Sequence, residues 1–222
     1  MVKGKRKPIN EIKSVISGYS KILVVGCGGC VSVCLAGGQK EVLELVEDLK
    51  SSSGGGNIGQ LEAYTVERQC NQKFLLELDD MAGCSDCIVS MACGAGVQYL
   101  AERFPKLPVF PALNTIAIGV DREIGVYEEK CRACGQCVLA YTGGICPVTK
   151  CAKGLFNGPC GGTNKGMCEI DNTIPCAWND IYNRLSDQGR LDNIIKIQEP
   201  MQWENQIQRT IVQDAYAKRY LN

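Results

Sequence analysis

The first half of the chain repeats short apolar runs, each of which predicts a strand. Residues 21–26, KILVVG, end in glycine and are typical of a buried parallel strand. Residues 61–67 and 87–93 predict a second and a third strand. Residues 107–114 predict a short fourth strand, and Pro111 favours an edge or an end for it. These runs indicate a sheet in the first half of the chain.

Amphipathic segments between these strands predict helices. Residues 38–52 place Val42, Leu45, Val46 and Leu49 on one helical face and acidic residues on the other. The run SSSGGGNIG that follows predicts a flexible loop. A second helix is predicted for GAGVQYLAERFP and stops before its proline. The alternation of strands and helices predicts an α/β fold with an open parallel sheet of the Rossmann or flavodoxin type.

The regular pattern ends near residue 120, where Gly, Cys, Asn and Pro become dominant up to about residue 176. Such a segment buries little apolar surface, so covalent cross-links or a bound metal must stabilise its fold. A helical pattern resumes at AWNDIYNRL, and the last twenty residues predict another amphipathic helix. The predicted parts are a flexible basic N-terminus (1–19), an α/β domain (20–120), an irregular cysteine-rich cluster domain (121–177) and a helical C-terminal segment (178–222).

Charge and hydropathy limit the possible partners of the chain and its cellular compartment. The 222 residues carry 24 basic and 24 acidic side chains, so no net field draws the chain to nucleic acid. No apolar run approaches the ~20 residues of a membrane span, which predicts no membrane insertion. The basic opening MVKGKRKP is followed by polar residues rather than by the apolar core of a signal peptide. We therefore expect a cytoplasmic protein.

Fifteen cysteines and no histidine make the thiols the main candidate chemistry. In a reducing compartment, so many cysteines indicate metal or cluster ligands rather than a disulfide framework. Without histidine, any such site must consist entirely or almost entirely of thiolates. An independent enzyme that uses the sheet edge is a rival hypothesis, but the chain has no histidine to serve as its general base.

The strongest motif lies in the cysteine-rich segment. CRACGQC has the spacing C-x₂-C-x₂-C, and a Cys-Pro pair follows it. Bacterial ferredoxins use this spacing for a [4Fe–4S] cluster, whereas zinc ribbons use separated C-x₂-C pairs. The motif therefore favours iron–sulfur over zinc, and eight thiols would fill two four-thiolate sites. These are Cys131, Cys134, Cys137, Cys146, Cys151, Cys160, Cys168 and Cys176.

A second group of cysteines follows the predicted strands. The run VVGCGGCVSVC lacks the third glycine of a dinucleotide motif and the lysine of a P-loop. Cys27 and Cys30 follow the first strand, Cys70 follows the second, and Cys93 closes the third. Because sites in open α/β sheets form at the carboxyl ends of the strands, these thiols should meet there. Cys27, Cys30, Cys34 and Cys93 are the favoured quartet, with Cys70 as a substitute.

Cys84 and Cys87 form a short C-x₂-C pair at the start of the third strand. Two interpretations of this pair remain open. It could supply metal ligands, or it could consist of buried structural thiols, since free cysteine is among the most buried residue types.

The run from CRACGQC through TGGICP and NGPCGG to PCAWNDIYNRL closely resembles the methylenetetrahydrofolate reductase C-terminal-domain family. GCGGCVSVC, TVERQC and MACGAGVQYL resemble the front half of the small cysteine-rich subunit in that family, so the resemblance spans about residues 20–190. The family pattern matches the eight cysteines from Cys131 to Cys176 together with Cys27, Cys30, Cys34, Cys70 and Cys93. Cys84 and Cys87 are additions to that pattern.

The resemblance implies a redox subunit that is not catalytic by itself. No (β/α)₈ barrel fits in 222 residues, so FMN is expected only on a flavin-bearing methylenetetrahydrofolate reductase subunit. Two [4Fe–4S] clusters, or three, would relay electrons to that FMN from a ferredoxin-like or larger redox partner. Zinc at one Cys₄ site is an alternative, and a zinc subunit that only braces the complex is the rival function.

Overall fold

The computed structural model describes residues 1–51 and 59–220. The chain divides into two compact units, Met1–Glu129 and Lys130–Asn222. The flexible loop that the sequence predicts for residues 51–59 lies largely outside the described residues.

Strands and helices alternate through the first unit. The strands are β1 (Val2–Arg6), β2 (Lys21–Cys27), β3 (Gln60–Val66), β4 (Cys87–Met91), β5 (Val109–Pro111), β6 (Leu113–Glu123) and β7 (Val126–Cys131). The helices are α1 (Ile9–Ile16), α2 (Cys30–Val33), α3 (Gln39–Ser51), α4 (Gln72–Leu75), α5 (Asp79–Gly83) and α6 (Gly94–Arg103). A 3₁₀ turn, Leu76–Leu78, joins α4 to α5.

The predicted parallel sheet is present, with four described strands in the order β3-β2-β4-β5. Alternate residues of β2 face opposite sides. Ile22 and Val24 pack in one apolar cluster with α1 and α3, and Leu23 and Val25 pack in a second cluster with α4, α5 and α6. Both faces of the central strands are therefore buried, which explains their unbroken apolar runs. β5 lies at an edge, as its Pro111 predicts.

A second, antiparallel sheet in the order β1-β6-β7 is absent from the sequence-based prediction. β6 and β7 form a hairpin within the stretch where the predicted α/β domain passes into an irregular segment at residue 121. The prediction that an irregular segment begins at residue 121 is therefore wrong. Exposed residues dominate both strands, so the apolar alternation that marks a half-buried strand is missing from them.

The prediction of a flexible, solvated N-terminus is also wrong. β1 pairs with β6, from Val2 opposite Ile118 to Arg6 opposite Leu113. Lys3 is only 2% exposed, because its ammonium group contacts Asp121 at 2.8 Å and lies 4.1 Å from the centre of the Tyr127 ring. The partners of this lysine are more than a hundred residues away in sequence, so local composition could not reveal them.

Short helices and turns make up most of the second unit. The helices are α7 (Pro147–Lys150), α8 (Ala177–Asp187) and α9 (Ala217–Tyr220). α8 confirms the predicted helix at AWNDIYNRL. The long amphipathic helix predicted for the last twenty residues is wrong, because the described part has only two 3₁₀ turns before α9, and Ile207 is 75% exposed. Without a surface to cover its apolar face, a short helix gains little stability.

Candidate functional site

Three thiols meet at the carboxyl edge of the parallel sheet: Cys27, Cys70 and Cys93, called here the front thiols. Cys27 is the last residue of β2, Cys70 follows β3, and Cys93 follows β4 and caps the N-terminus of α6. β3 and β4 flank β2 in the sheet, so the three thiols leave neighbouring strands at the same edge. This arrangement agrees with the place that topology predicts for a site.

The Gln69 side chain connects the strands at this edge through hydrogen bonds. It is fully buried, and its amide nitrogen donates to the carbonyl groups of Val25 at 2.9 Å and Gly26 at 3.1 Å. The Ser90 hydroxyl donates to the Gln69 amide oxygen at 2.6 Å. One side chain therefore links the loop after β3 to β2 and β4. The sequence analysis missed Gln69, because a glutamine next to a cysteine carries no distinctive motif.

Close backbone approach shapes the same edge. The Cys27 amide donates to the Gly37 carbonyl at 2.8 Å, which folds the segment after α2 over the end of β2. A Cβ atom on Gly37 would lie 2.0 Å from the Met91 carbonyl oxygen, so only glycine fits there. The segment from Cys27 to Gly37 is thus held against the ends of both β2 and β4.

The Cys27 sulfur lies in a partly polar setting. It accepts hydrogen bonds from the backbone amides of Gly29 and Gln69. Burial raises the pKa of the Cys27 thiol, these two hydrogen bonds oppose the rise, and negative charge on Cys70 and Cys93 adds to it. A positive centre beside Cys27, such as a bound metal, would favour the thiolate form of this residue.

The structure separates the other cysteines of the first unit. Cys30 is exposed and begins α2. Cys34 is buried, and its sulfur faces β1, where it accepts a hydrogen bond from the Gly4 amide at 3.3 Å. Cys84 is exposed after α5, whereas Cys87 is fully buried at the start of β4, the end of that strand opposite to Cys93. Burial and the neighbouring Asp86 raise the pKa of Cys87 to about 11.

Four thiols of the second unit line a single pocket. They are Cys151, Cys160, Cys168 and Cys176, called here the pocket quartet. Backbone bridges pair Asn164 with Met167 and Met167 with Pro175, and the Cys168 amide donates to the Ile174 carbonyl at 2.8 Å. The Gly162 amide points at the Cys160 sulfur, 3.4 Å away. Tight turns therefore bring together thiols that are up to 25 residues apart in sequence.

Two residues that line this pocket form an ion pair. Lys153 and Glu169 are in direct contact, and the Glu169 carboxylate lies 3.9 Å from the Cys160 sulfur. Lys153 lowers the pKa of Glu169, and Glu169 raises the pKa of Lys153. The lysine places a positive charge next to thiols that must become anionic to bind a metal. Neither residue belongs to a motif that the sequence analysis singled out.

The other four cysteines of the second unit form the loop quartet: Cys131, Cys134, Cys137 and Cys146. Ala133 and Gly135 have positive φ angles of 51° and 90°, so the chain turns sharply between the first three. The Ala133 amide donates to the Cys131 sulfur at 3.3 Å. Cys134 and Cys146 share one apolar cluster, which includes Val138, Val148 and Met201. The Cys-Pro cysteine therefore lies with the C-x₂-C-x₂-C turn.

A separate apolar cluster accompanies the pocket quartet. Cys151 and Cys176 pack against Trp178, Ile181 and Leu185 of α8. The Trp178 indole nitrogen donates to the Leu155 carbonyl at 2.8 Å, which holds this ring in place. The two quartets thus have separate apolar surroundings.

The cysteines are the candidate ligands in both units. All fifteen cysteines are free thiols. Within residues 1–51 and 59–220, no three side chains of the metal-binding types are placed to share one metal ion. Backbone amides point at the sulfurs of Cys27, Cys131 and Cys160, a hydrogen-bonding pattern that metal-bound thiolates commonly accept.

Residues 110–204 match the family model described as methylene-tetrahydrofolate reductase C terminal. The family resemblance is confirmed for this segment. The match includes all eight cysteines of the loop quartet and the pocket quartet and excludes the front thiols. No curated protein and no solved structure matches the chain. Along the described residues, no helix has the length and apolar character that crossing a bilayer requires.

Proposed function

We propose that this chain is the iron–sulfur electron-transfer subunit of a heteromeric methylenetetrahydrofolate reductase. The observation that carries the proposal is the family match over residues 110–204, which contains eight free thiols in the two quartets. The catalytic partner would carry FMN and convert methylene- to methyltetrahydrofolate. A ferredoxin-like or larger redox protein would donate the electrons, and the complex would work in the cytoplasm.

Each quartet would hold one [4Fe–4S] cluster. The loop quartet has the ferredoxin spacing, but its Cys-Pro cysteine packs in the same apolar cluster as Cys134. In two-cluster ferredoxins, the Cys-Pro ligand instead completes the other cluster. The separate apolar clusters around the two quartets support grouping the ligands four and four along the chain. If zinc replaces one cluster, the pocket quartet is the Cys₄ site that would hold it.

The residues of this chain would bind the clusters and set their environment. Bound clusters of this kind accept and pass on single electrons. The cysteine thiolates hold the iron, and the amides of Gly29, Ala133 and Gly162 donate hydrogen bonds to cysteine sulfur. Such hydrogen bonds and apolar packing, as from Trp178 beside Cys176, are the usual means of adjusting a reduction potential. The parallel sheet, which we take to be of the Rossmann or flavodoxin type, would present the front thiols.

The first test is anaerobic purification of the full chain, with analysis of iron, sulfide and zinc and an EPR spectrum after reduction by dithionite. We expect about eight to twelve irons per chain with matching sulfide, as two or three [4Fe–4S] clusters require. The reduced chain should then reduce the FMN of its co-purified flavin subunit in a stopped-flow measurement.

Two results would contradict this proposal. Zinc without iron would indicate a subunit that braces the complex and has no redox role. Iron clusters that are reduced by dithionite but never pass electrons to the bound flavin would also rule out the relay. A folate-dependent activity of the isolated chain would instead support the independent-enzyme hypothesis.

A further inference from the structure

The Cys34 sulfur already forms hydrogen bonds within the first unit. Its sulfur accepts from the Gly4 amide at 3.3 Å and donates to the Val31 carbonyl at 3.5 Å. The side chain is 5% exposed and belongs to the apolar cluster that packs α1 and α3 on the sheet. Cys27 is also buried, at 7% exposure, so burial alone does not separate the two cysteines. The direction of the sulfur does, because that of Cys34 joins α2 to the backbone of β1.

Cys70 has the opposite properties. It is exposed, and the loop that carries it is held by the preceding Gln69, whose amide bonds to the two residues before Cys27. The same loop packs on α6, the helix that Cys93 caps, because a Cβ atom on Gly96 would lie 3.0 Å from the Gln69 Cβ and 3.8 Å from the Cys70 nitrogen. Cys70 is thus fixed beside both other front thiols and remains accessible.

Cys30 is the exposed thiol nearest to this group in sequence. It follows Gly29, where a Cβ atom would lie 3.6 Å from the Cys27 sulfur. The Gly28–Gly29 turn also packs on the loop that leads to Cys70, since a Cβ atom on Gly28 would lie 3.3 Å from the Glu67 carbonyl oxygen. Cys30 therefore begins α2 next to the front thiols.

We infer that Cys27, Cys30, Cys70 and Cys93 form the thiolate site of the first unit and that Cys34 is a structural thiol that anchors β1. The inference rests on the proposed function, because it names the ligands of a third cluster in the same electron-transfer subunit. It replaces Cys34, which the sequence spacing favours, with Cys70, which only the fold brings to the sheet edge.

The test compares four single variants of the full chain, purified anaerobically and reconstituted with ferrous iron and sulfide. Cys70→Ala removes an exposed thiol, and Cys84→Ala is its matched exposed control. Cys34→Ala removes a buried thiol, and Cys87→Ala is its matched buried control. Iron and acid-labile sulfide per chain are measured together with the integrated EPR signal, and circular dichroism confirms that each variant is folded.

We expect Cys70→Ala to lose about four irons per chain relative to the wild type, the content of one [4Fe–4S] cluster. Cys34→Ala, Cys84→Ala and Cys87→Ala should keep the wild-type iron content, although Cys34→Ala should unfold at a lower temperature. The inference is overturned if Cys34→Ala loses these irons while Cys70→Ala keeps them, or if both variants keep them.

Alkylation of the wild-type chain gives a readout that needs no variant. With the metal bound, Cys70 should be protected from iodoacetamide, and after removal of the metal by a chelator it should react readily. Cys34 should react slowly in both states. If Cys70 reacts equally fast in both, the inference fails.

The same experiment tests the proposed function separately from the assignment of the ligands. If the wild-type chain binds zinc instead of iron, the electron relay is wrong, and the zinc lost from Cys70→Ala or Cys34→Ala still decides which cysteine is the ligand. If the wild-type chain binds neither metal, both proposals are wrong.

Discussion

At the scale of single residues, burial separates cysteines that look alike in the sequence. Cys84 and Cys87 form a C-x₂-C pair, yet one is exposed and the other is fully buried at the start of β4. Cys34 and Cys70 differ in the same way: Cys70 is exposed, whereas Cys34 is buried and hydrogen-bonded to backbone groups. Spacing alone therefore cannot distinguish a ligand from a structural thiol.

The first prediction concerns Gln69. Replacing it with leucine removes three buried hydrogen bonds, two to carbonyl groups of β2 and one from the Ser90 hydroxyl. We expect Gln69→Leu to lower the free energy of unfolding by about 2–4 kcal/mol, measured by urea denaturation. The matched control is Gln98→Leu, on the exposed side of α6, which should change it by less than about 0.5 kcal/mol. Equal effects would contradict a bridging role for Gln69.

The second prediction concerns the pH dependence of Cys87, whose pKa is raised from 9.0 to about 11. The thiol stays neutral in the fold while it ionises in the unfolded chain, so its stabilising contribution is complete below pH 9.0 and is lost as the pH rises toward 11. Relative to Cys87→Ala, the wild type should lose about 1.4 kcal/mol per pH unit across that window. Parallel stability curves for the two proteins would show that Cys87 ionises normally in the fold.

At the scale of elements, the strands that bury both faces are those that the sequence predicts. β2 and β4 are unbroken apolar runs, and the structure has them at the centre of the parallel sheet. β6 and β7 carry mostly exposed side chains, and Lys3 is the only buried residue of β1, so their pairing depends on backbone hydrogen bonds and a few contacts such as Lys3 with Asp121. Such strands have no periodic apolar signal to find.

The third prediction tests how β1 is held. Lys3→Ala removes the buried stem and the ammonium group, which lies beside Asp121 and over the Tyr127 ring. We expect a loss of about 2 kcal/mol in the free energy of unfolding, less than for a fully buried ion pair because Asp121 is half exposed. Lys5→Ala, on the exposed side of the same strand, is the control and should be nearly neutral. If both substitutions are neutral, β1 does not depend on this contact.

At the scale of the whole molecule, the two units differ in what stabilises them. The first has two large apolar clusters on the faces of a sheet, whereas the described part of the second has small clusters built around residues such as Val148 and Trp178. Small cores of this kind usually need a metal or a disulfide to fold, and the cysteines here are all free. If the second unit holds the proposed clusters, it should depend on them for stability.

The fourth prediction is that removing the metal groups with a chelator destabilises only the second unit. Amide hydrogen exchange, followed by mass spectrometry, should accelerate by at least about tenfold in peptides from residues 130–200, because metal binding and folding are linked there. Peptides from α1 and α3, which contain no cysteine, are the internal control and should keep their protection. Unchanged exchange in the second unit would mean that its fold does not require the metal.

The parallel sheet, its central strands and the ferredoxin-like motif follow from the sequence, since buried strands and clustered thiols leave local patterns of one residue type. Which distant thiols meet depends on the tertiary fold. Cys70 reaches Cys27 because parallel strands end at one edge and Gln69 ties the loop there, whereas Cys34, four residues from Cys30, is turned to β1. Contacts between residues far apart in sequence depend on topology and packing, and neither is encoded in local spacing.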